Sequence, residues 1–132
     1  MAQYRDIKIT FEFLDSNPDS YFIFGDNFMK KANSENACKT KAHPHALSFI
    51  TKKFPGQDDG SFYKPDEYEM IFFEELIKLG RIIERYPTKT FYISKLGSGA
   101  ANRFLIWEKL ISIYLVRSLE KFDNVVFCWS KE

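Results

Sequence analysis

The chain has 132 residues, 45% of them hydrophobic and 17% aromatic, which is enough apolar side chain to fill one core and too little length for two. Nineteen basic against 18 acidic side chains leave a net charge of +1, which removes any global electrostatic ground for binding nucleic acid or a membrane surface. No apolar run reaches the roughly 18–20 residues that cross a bilayer, the first six residues lack the apolar core of a secretion signal, and Cys38 and Cys128 stand apart without CxxC spacing. A single-domain cytoplasmic protein with reduced thiols, no metal and no cofactor is expected.

In chain order, the first pattern is a strict alternation, with Ile7, Ile9, Phe11 and Phe13 on one face and Lys8, Thr10 and Glu12 on the other. It predicts a half-exposed strand at an edge or in an antiparallel pair. After the turn-rich connector Asp15-Ser-Asn-Pro-Asp-Ser20, the apolar run 21–24 predicts a buried strand that stops at Gly25, Asp26 and Asn27. Residues 28–41 fit either a partly helical segment or a ligand-covering loop. Residues 46–50 predict a short strand, and 51–65 form a long loop containing Pro55-Gly56, Asp58-Asp59-Gly60 and Phe62-Tyr63. The spacing of Phe72, Leu76, Leu79 and Ile83 predicts a helix over 66–86 that ends at Pro87.

A strand over 89–94 then runs into a loop with Gly97 and Gly99. Asn102 is the predicted N-cap of a helix extending to about Lys121, and Asp123-Asn124 turn the chain into a last strand over 125–129. In that helix Trp107, Leu110, Ile111, Ile113, Tyr114, Leu115 and Leu119 cover more than one stripe, which points to deep burial or a subunit contact. Apolar strands alternating with helices predict an α/β sandwich with a mainly parallel or mixed sheet.

The two strand ends carry the chemistry, since strand ends and their following loops form the ligand crevices of open α/β sheets. Asp26 orients a hydroxyl or accepts from an amine and Asn27 both donates and accepts; the competing reading is a turn in which both cap backbone amides. Gly97-Ser98-Gly99 ahead of a helix presents amides and a helix dipole to phosphate, or is a plain β-to-α turn. Lys52, Lys53 and Lys95 beside the strand ends are candidates to neutralise a diphosphate, and Phe62 and Tyr63 either stack on a base or fill a core or lid. His43 and His45 have no evident third partner for a metal and read as ordinary loop residues. Neither cysteine has the context of a nucleophile. Asp26, acting on a water, alone or with Asp58 or Asp59, is the one weak catalytic candidate, and catalytic residues are otherwise unassigned.

The order strand, Gly-Asp-Asn loop, strand, helix, strand, Gly-Ser-Gly loop, helix, strand resembles a compact macro domain, the fold that binds ADP-ribose. More closely, Phe24-Gly-Asp-Asn27, the Pro44 to Lys52 segment, Phe62-Tyr63, Leu96-Gly-Ser-Gly-Ala-Ala-Asn102 and Asn124-Val-Val-Phe-Cys-Trp129 are similar to a macro-domain-like family of small phage proteins, over about Tyr21 to Trp129. The resemblance implies a macro-domain-like sandwich with a mixed, largely parallel sheet flanked by helices. It also implies an ADP-ribose-like or related nucleotide ligand, with Gly25, Asp26 and Asn27 on one side and Gly97, Ser98, Gly99 and Ala100 on the other. Lys52, Lys95 and Phe62 complete the candidate set. The expected function is capture of such a metabolite, sequestering a host defence signal in phage infection within the host cytoplasm. The alternatives are a hydrolase of ADP-ribose derivatives and a pocket-degenerate module that inhibits a host protein. The helix over 103–120 is the candidate contact for a host protein or a second copy. Where that family tends to have a glycine-rich run ending in Gly-Gly-Gln-Ala, this chain has Ala32-Asn-Ser-Glu-Asn-Ala37. Losing glycines removes close amide approach to a phosphate, and Glu35 repels an anion.

Overall fold

Continuous apolar runs make strands that are buried on both faces, and such strands pair in parallel. In the computed structural model, which describes residues 1–29 and 39–131, five strands form one sheet: β1 (Gln3–Tyr4), β2 (Ser20–Asn27), β3 (Ala46–Lys52), β4 (Thr90–Ile93) and β5 (Val125–Phe127). Their order is β1-β5-β4-β2-β3, and every pair is parallel, so the expectation of a mixed sheet is corrected. Helices α1 (Phe11–Ser16), α2 (Pro65–Arg85) and α3 (Ser112–Leu119) accompany them, the last entered through a π-helical turn at Trp107–Ile111. No helix among the described residues is long and apolar enough to cross a membrane.

The register sets two faces. Phe22 aligns with Ala46 and Tyr92, and Tyr92 with Val126; this face packs against Ile9, Phe13 and Leu14. Ile23 aligns with Ile93, and Ile93 with Phe127; this face receives Phe72, Leu76 and Ile83 of α2 and Leu115 and Leu119 of α3. The β3→β4 and β4→β5 connections run one way along the sheet and put α2 and α3 on one face. The β1→β2 connection runs the other way and puts α1 on the opposite face, which gives these three crossovers one handedness.

Three sequence expectations fail here. The alternation over 7–13 is not a strand: Thr10 accepts a hydrogen bond from the Phe13 amide at 3.1 Å and caps α1, so Phe13 and Leu14 reach the sheet as a helical pair. The N-terminal strand is instead Gln3–Tyr4, placed by β5 and by the Arg5 amide, which donates to the Phe127 carbonyl at 2.9 Å. The helix predicted from 103 begins only near Ile106, because Leu105 takes a left-handed φ of 64° that breaks the helical path before it. The last strand also stops at Phe127, short of the predicted Trp129.

The outer edge of β3 is closed locally by α2. The Glu75 carboxylate accepts from the Ile50 amide at 2.8 Å, and the Tyr68 hydroxyl donates to the Ile50 carbonyl, so both backbone groups of Ile50 are taken on an edge that would otherwise invite another strand.

Candidate functional site

The chain leaves β2 toward β3 and leaves β4 toward β5, so these neighbours diverge and their C-terminal ends flank the switch point of the sheet. A crevice opens there, on the α1 face. It is lined by Phe22, Phe24 and Gly25 of β2, Ser94 and Lys95 after β4, Cys128 after β5, the arm Ile7–Ile9, and Thr40 and Lys41. Its volume is about 490 Å³, within the range of small-molecule sites. The parallel ladder continues past the strands to build it: the Ser94 amide donates to the Ile23 carbonyl at 3.0 Å and the Cys128 amide to the Ile93 carbonyl at 2.9 Å. Gly25 lets β2 and β3 stay close, since a Cβ there would meet the Thr51 hydroxyl at 2.9 Å.

The charge on the lining is one-sided. Among the described residues, Lys8, Lys41 and Lys95 contribute to it and no carboxylate does, while Ile7, Ile9, Phe22 and Phe24 supply apolar wall. The Lys41 ammonium lies 4.9 Å from the Phe24 ring centroid and that of Lys95 5.3 Å from Trp107, so the cations rest on aromatic faces. A cleft of this kind concentrates anions that carry an apolar or aromatic part.

Of the residues singled out from sequence, Gly25 and Lys95 line this crevice, and Lys8 and Lys41 join them. Sequence reading missed those two. Lys8 lay on the polar side of an alternation taken for a strand, and Lys41 in a segment left open. Asp26 and Asn27 are buried at the end of β2, beyond a register shift between them, and the Asp26 carboxylate accepts the Asn27 amide at 2.8 Å. That is the turn-capping geometry. Asp58 accepts the Ser61 hydroxyl at 2.7 Å, which with backbone amides holds its carboxyl below the usual range, and Asp59 pairs with Arg103 at 2.8 Å.

The glycine loop divides in character. Gly97 has φ +74°, and a Cβ there would meet Ile111 at 2.5 Å, whereas an added Cβ at Gly99 meets nothing within 4 Å. Ser98 turns inward, its amide and hydroxyl both donating to the Lys95 carbonyl at 3.2 and 2.6 Å, and Ala100 is exposed. Asn102 is not the N-cap expected from sequence, since the helical turn is entered at Ile106, but its Oδ1 accepts the Trp107 amide at 3.0 Å and its Nδ2 donates to Glu108 at 2.6 Å. The helix start is therefore occupied by an amide oxygen and a carboxylate, which disfavours a phosphate there.

Phe62 is buried, with Lys52 and Arg103 over its ring, and Tyr63 stacks on Tyr68 at 5.0 Å. Lys53 pairs with Glu67 at 2.8 Å. His43 and His45 lie before β3, beside the start of β2. The His45 amide donates to His43 Nδ1 at 3.0 Å, His45 Nδ1 is 3.2 Å from the Ser20 carbonyl, and its ring stacks on Tyr21. Among the described residues no three metal-binding side chains cluster. The Ala32–Ala37 departure and Cys38 lie outside the described residues.

Burial pushes the Cys128 thiol up to about 12. At pH 8 its thiolate fraction is then about a thousandfold below that of an ordinary thiol, so Cys128 is expected to label with iodoacetamide far more slowly than a free cysteine. Peptide mass mapping, which separates it from Cys38, checks this; rapid labelling would contradict it.

Residues 4–102 match the model of a family described as Family of unknown function (DUF7831), a span that runs from Tyr4 of β1 through β4 and leaves α3 and β5 outside. No curated protein and no solved structure matches the chain.

Proposed function

The chain belongs to the DUF7831 family, and we propose that its switch-point crevice binds a nucleotide-type metabolite of the ADP-ribose class. The observation that carries this reading is the lining: apolar walls for a base or ribose, with Lys8, Lys41 and Lys95 for phosphate and no opposing carboxylate among the described residues. A crevice between β2 and β4 at the switch point is where open parallel sheets of this general kind bind ligands, which supports a small-molecule site there. Binding without turnover is favoured. The thiol on the wall is held protonated, and the Asp26 carboxylate is engaged by the Asn27 amide. Together with the similarity to small phage proteins, this supports sequestration of a signalling nucleotide as the biological role.

Calorimetric titration with ADP-ribose, followed by chromatography of the recovered ligand, tests the proposal. Lys95→Ala and Lys41→Ala are each expected to weaken binding by about tenfold, the value of one charge-assisted contact at a partly exposed site. Recovery of a converted ligand would select the hydrolase alternative. No heat with ADP-ribose, or affinity indifferent to both lysines, would overturn the assignment.

A further inference from the structure

We infer that Lys52 and Arg103, gathered around Phe62, form an anion site for a phosphate or diphosphate group, separate from the crevice. Neither cation nor the ring lines the crevice wall. Lys52 is only 7% exposed, yet its ammonium, with its full set of N–H donors, has one hydrogen-bond acceptor among the described residues, the Pro55 carbonyl at a long 3.4 Å. Its other contact is the Phe62 ring, 4.5 Å from the centroid, and no carboxylate among the described residues comes within ion-pair distance of it. A buried ammonium without an anion is costly, and proteins retain one where something pairs with it.

Arg103 brings a second positive charge to the same ring, its guanidinium carbon 4.2 Å from the centroid. Burial first, and then the Arg103 charge, lower the proton affinity of Lys52, and Asp58 offsets this only in part. The acids nearby are already committed. Asp58 is held by the Ser61 hydroxyl, and Asp59, whose side chain is 81% exposed, pairs with Arg103 in a solvent-screened contact that an incoming anion displaces at little cost. The arrangement thus offers a point charge with spare donors beside a planar fork, both anchored on one ring. A phosphate oxyanion satisfies both, and the fork favours it over a halide.

Thermal unfolding of the full chain in inorganic phosphate against chloride at matched ionic strength tests this, on the wild type, Lys52→Met and Arg103→Gln. Phosphate is expected to raise the melting temperature of the wild type well above its effect on either variant, and Lys52→Met is expected to melt at or above the wild type in chloride. General salting-out by phosphate would raise all three equally, and that result, or no wild-type response at tens of millimolar, overturns the site. Should Lys52→Met fail to fold, Arg103→Gln and the 13Cε signal of Lys52 decide: a signal that moves with phosphate supports the site and a static one removes it. Lys41→Ala and Lys95→Ala keep the phosphate response, so failure of the crevice reading and failure of this one are separable.

Discussion

Gly97→Ala is expected to lower unfolding stability by about 2–4 kcal/mol, whereas Gly99→Ala changes it by less than about 0.5 kcal/mol. Both glycines sit in the same three-residue motif, and the sequence offers no way to rank them. The structure does. Gly97 holds φ +74°, where an L side chain costs about 1–2 kcal/mol whatever the space. Its missing Cβ would also lie 2.5 Å from Ile111 and 3.3 Å from Ile106, both fully buried, so the added methyl pushes into packed core and brings an overpacking cost of about 1–2 kcal/mol. Gly99 has neither constraint. Urea denaturation of the two variants side by side measures the difference. Equal midpoints would show that the loop relaxes freely and that Gly97 is not what joins the end of β4 to the helix after it. Domains of this size are stable by about 5–15 kcal/mol, so a loss of this order leaves the Gly97 variant folded but far more easily unfolded.

That contrast also shows where the sequence was legible. The runs 21–24 and 89–94 announced strands because β2 and β4 lie inside a parallel sheet and are buried on both faces, which leaves a continuous apolar signature. The periodicity of Phe72, Leu76, Leu79 and Ile83 announced α2 because 21 residues give several turns over which a stripe can show. Six residues do not. Phe11–Ser16 spans under two turns, too short for a helical stripe to show, and its one fully buried residue, Leu14, falls outside the alternation of Ile7, Ile9, Phe11 and Phe13 that read as a strand. Gln3–Tyr4 carries no pattern at all, and only its pairing with β5 makes it a strand.

Strand direction followed the same rule: the sequence left a mixed sheet open because register and crossing order are tertiary facts. At the candidate site, Gly25 and Lys95 were readable as strand-end residues, but the lysines that complete the crevice come from Ile7–Ile9, whose alternation reads as a strand, and from 40–41, which has no decisive pattern. Arg103 was invisible for a related reason. Its partners Asp59 and Phe62 lie some 40 residues away in sequence, and the contact exists only because the loop after β3 meets the loop after β4.

Asn124→Ala is expected to cost about 2–3 kcal/mol, although sequence reading gave Asn124 only a turn. Its Nδ2 donates to the carbonyls of Ile83, Tyr86 and Lys89 at 3.3, 3.1 and 3.0 Å. An amide nitrogen has two hydrogens, so one must be shared between acceptors. Ile83 and Tyr86 lie at the C-terminal end of α2, where carbonyls have no helical partner; Lys89 precedes β4, and Asn124 itself leads into β5. One side chain therefore ties a helix end to the starts of two strands, and the Phe91 amide returns a bond to the Asn124 carbonyl at 2.8 Å. Alanine leaves the Ile83 and Lys89 carbonyls to be met by water or not at all, while the Tyr86 carbonyl keeps the Lys89 amide at 3.1 Å.

Asn124→Asp separates loss of packing from loss of the donor, because the shape is kept while an ionised carboxylate cannot donate and faces carbonyl oxygens. The charged form is then disfavoured in the fold, so the folded pKa of the new carboxyl rises above its unfolded value. The native state binds the proton more tightly, and the variant recovers stability as pH falls through that folded pKa and loses it as pH rises. Urea midpoints for wild type and both variants at pH 4 and pH 7.5 measure this. A pH-independent Asn124→Asp, or an alanine variant as stable as the wild type, would mean that these carbonyls are hydrated in solution. Since these contacts lie at the opposite end of the sheet from the crevice, ligand affinity measured under folded conditions is expected to stay unchanged in both variants.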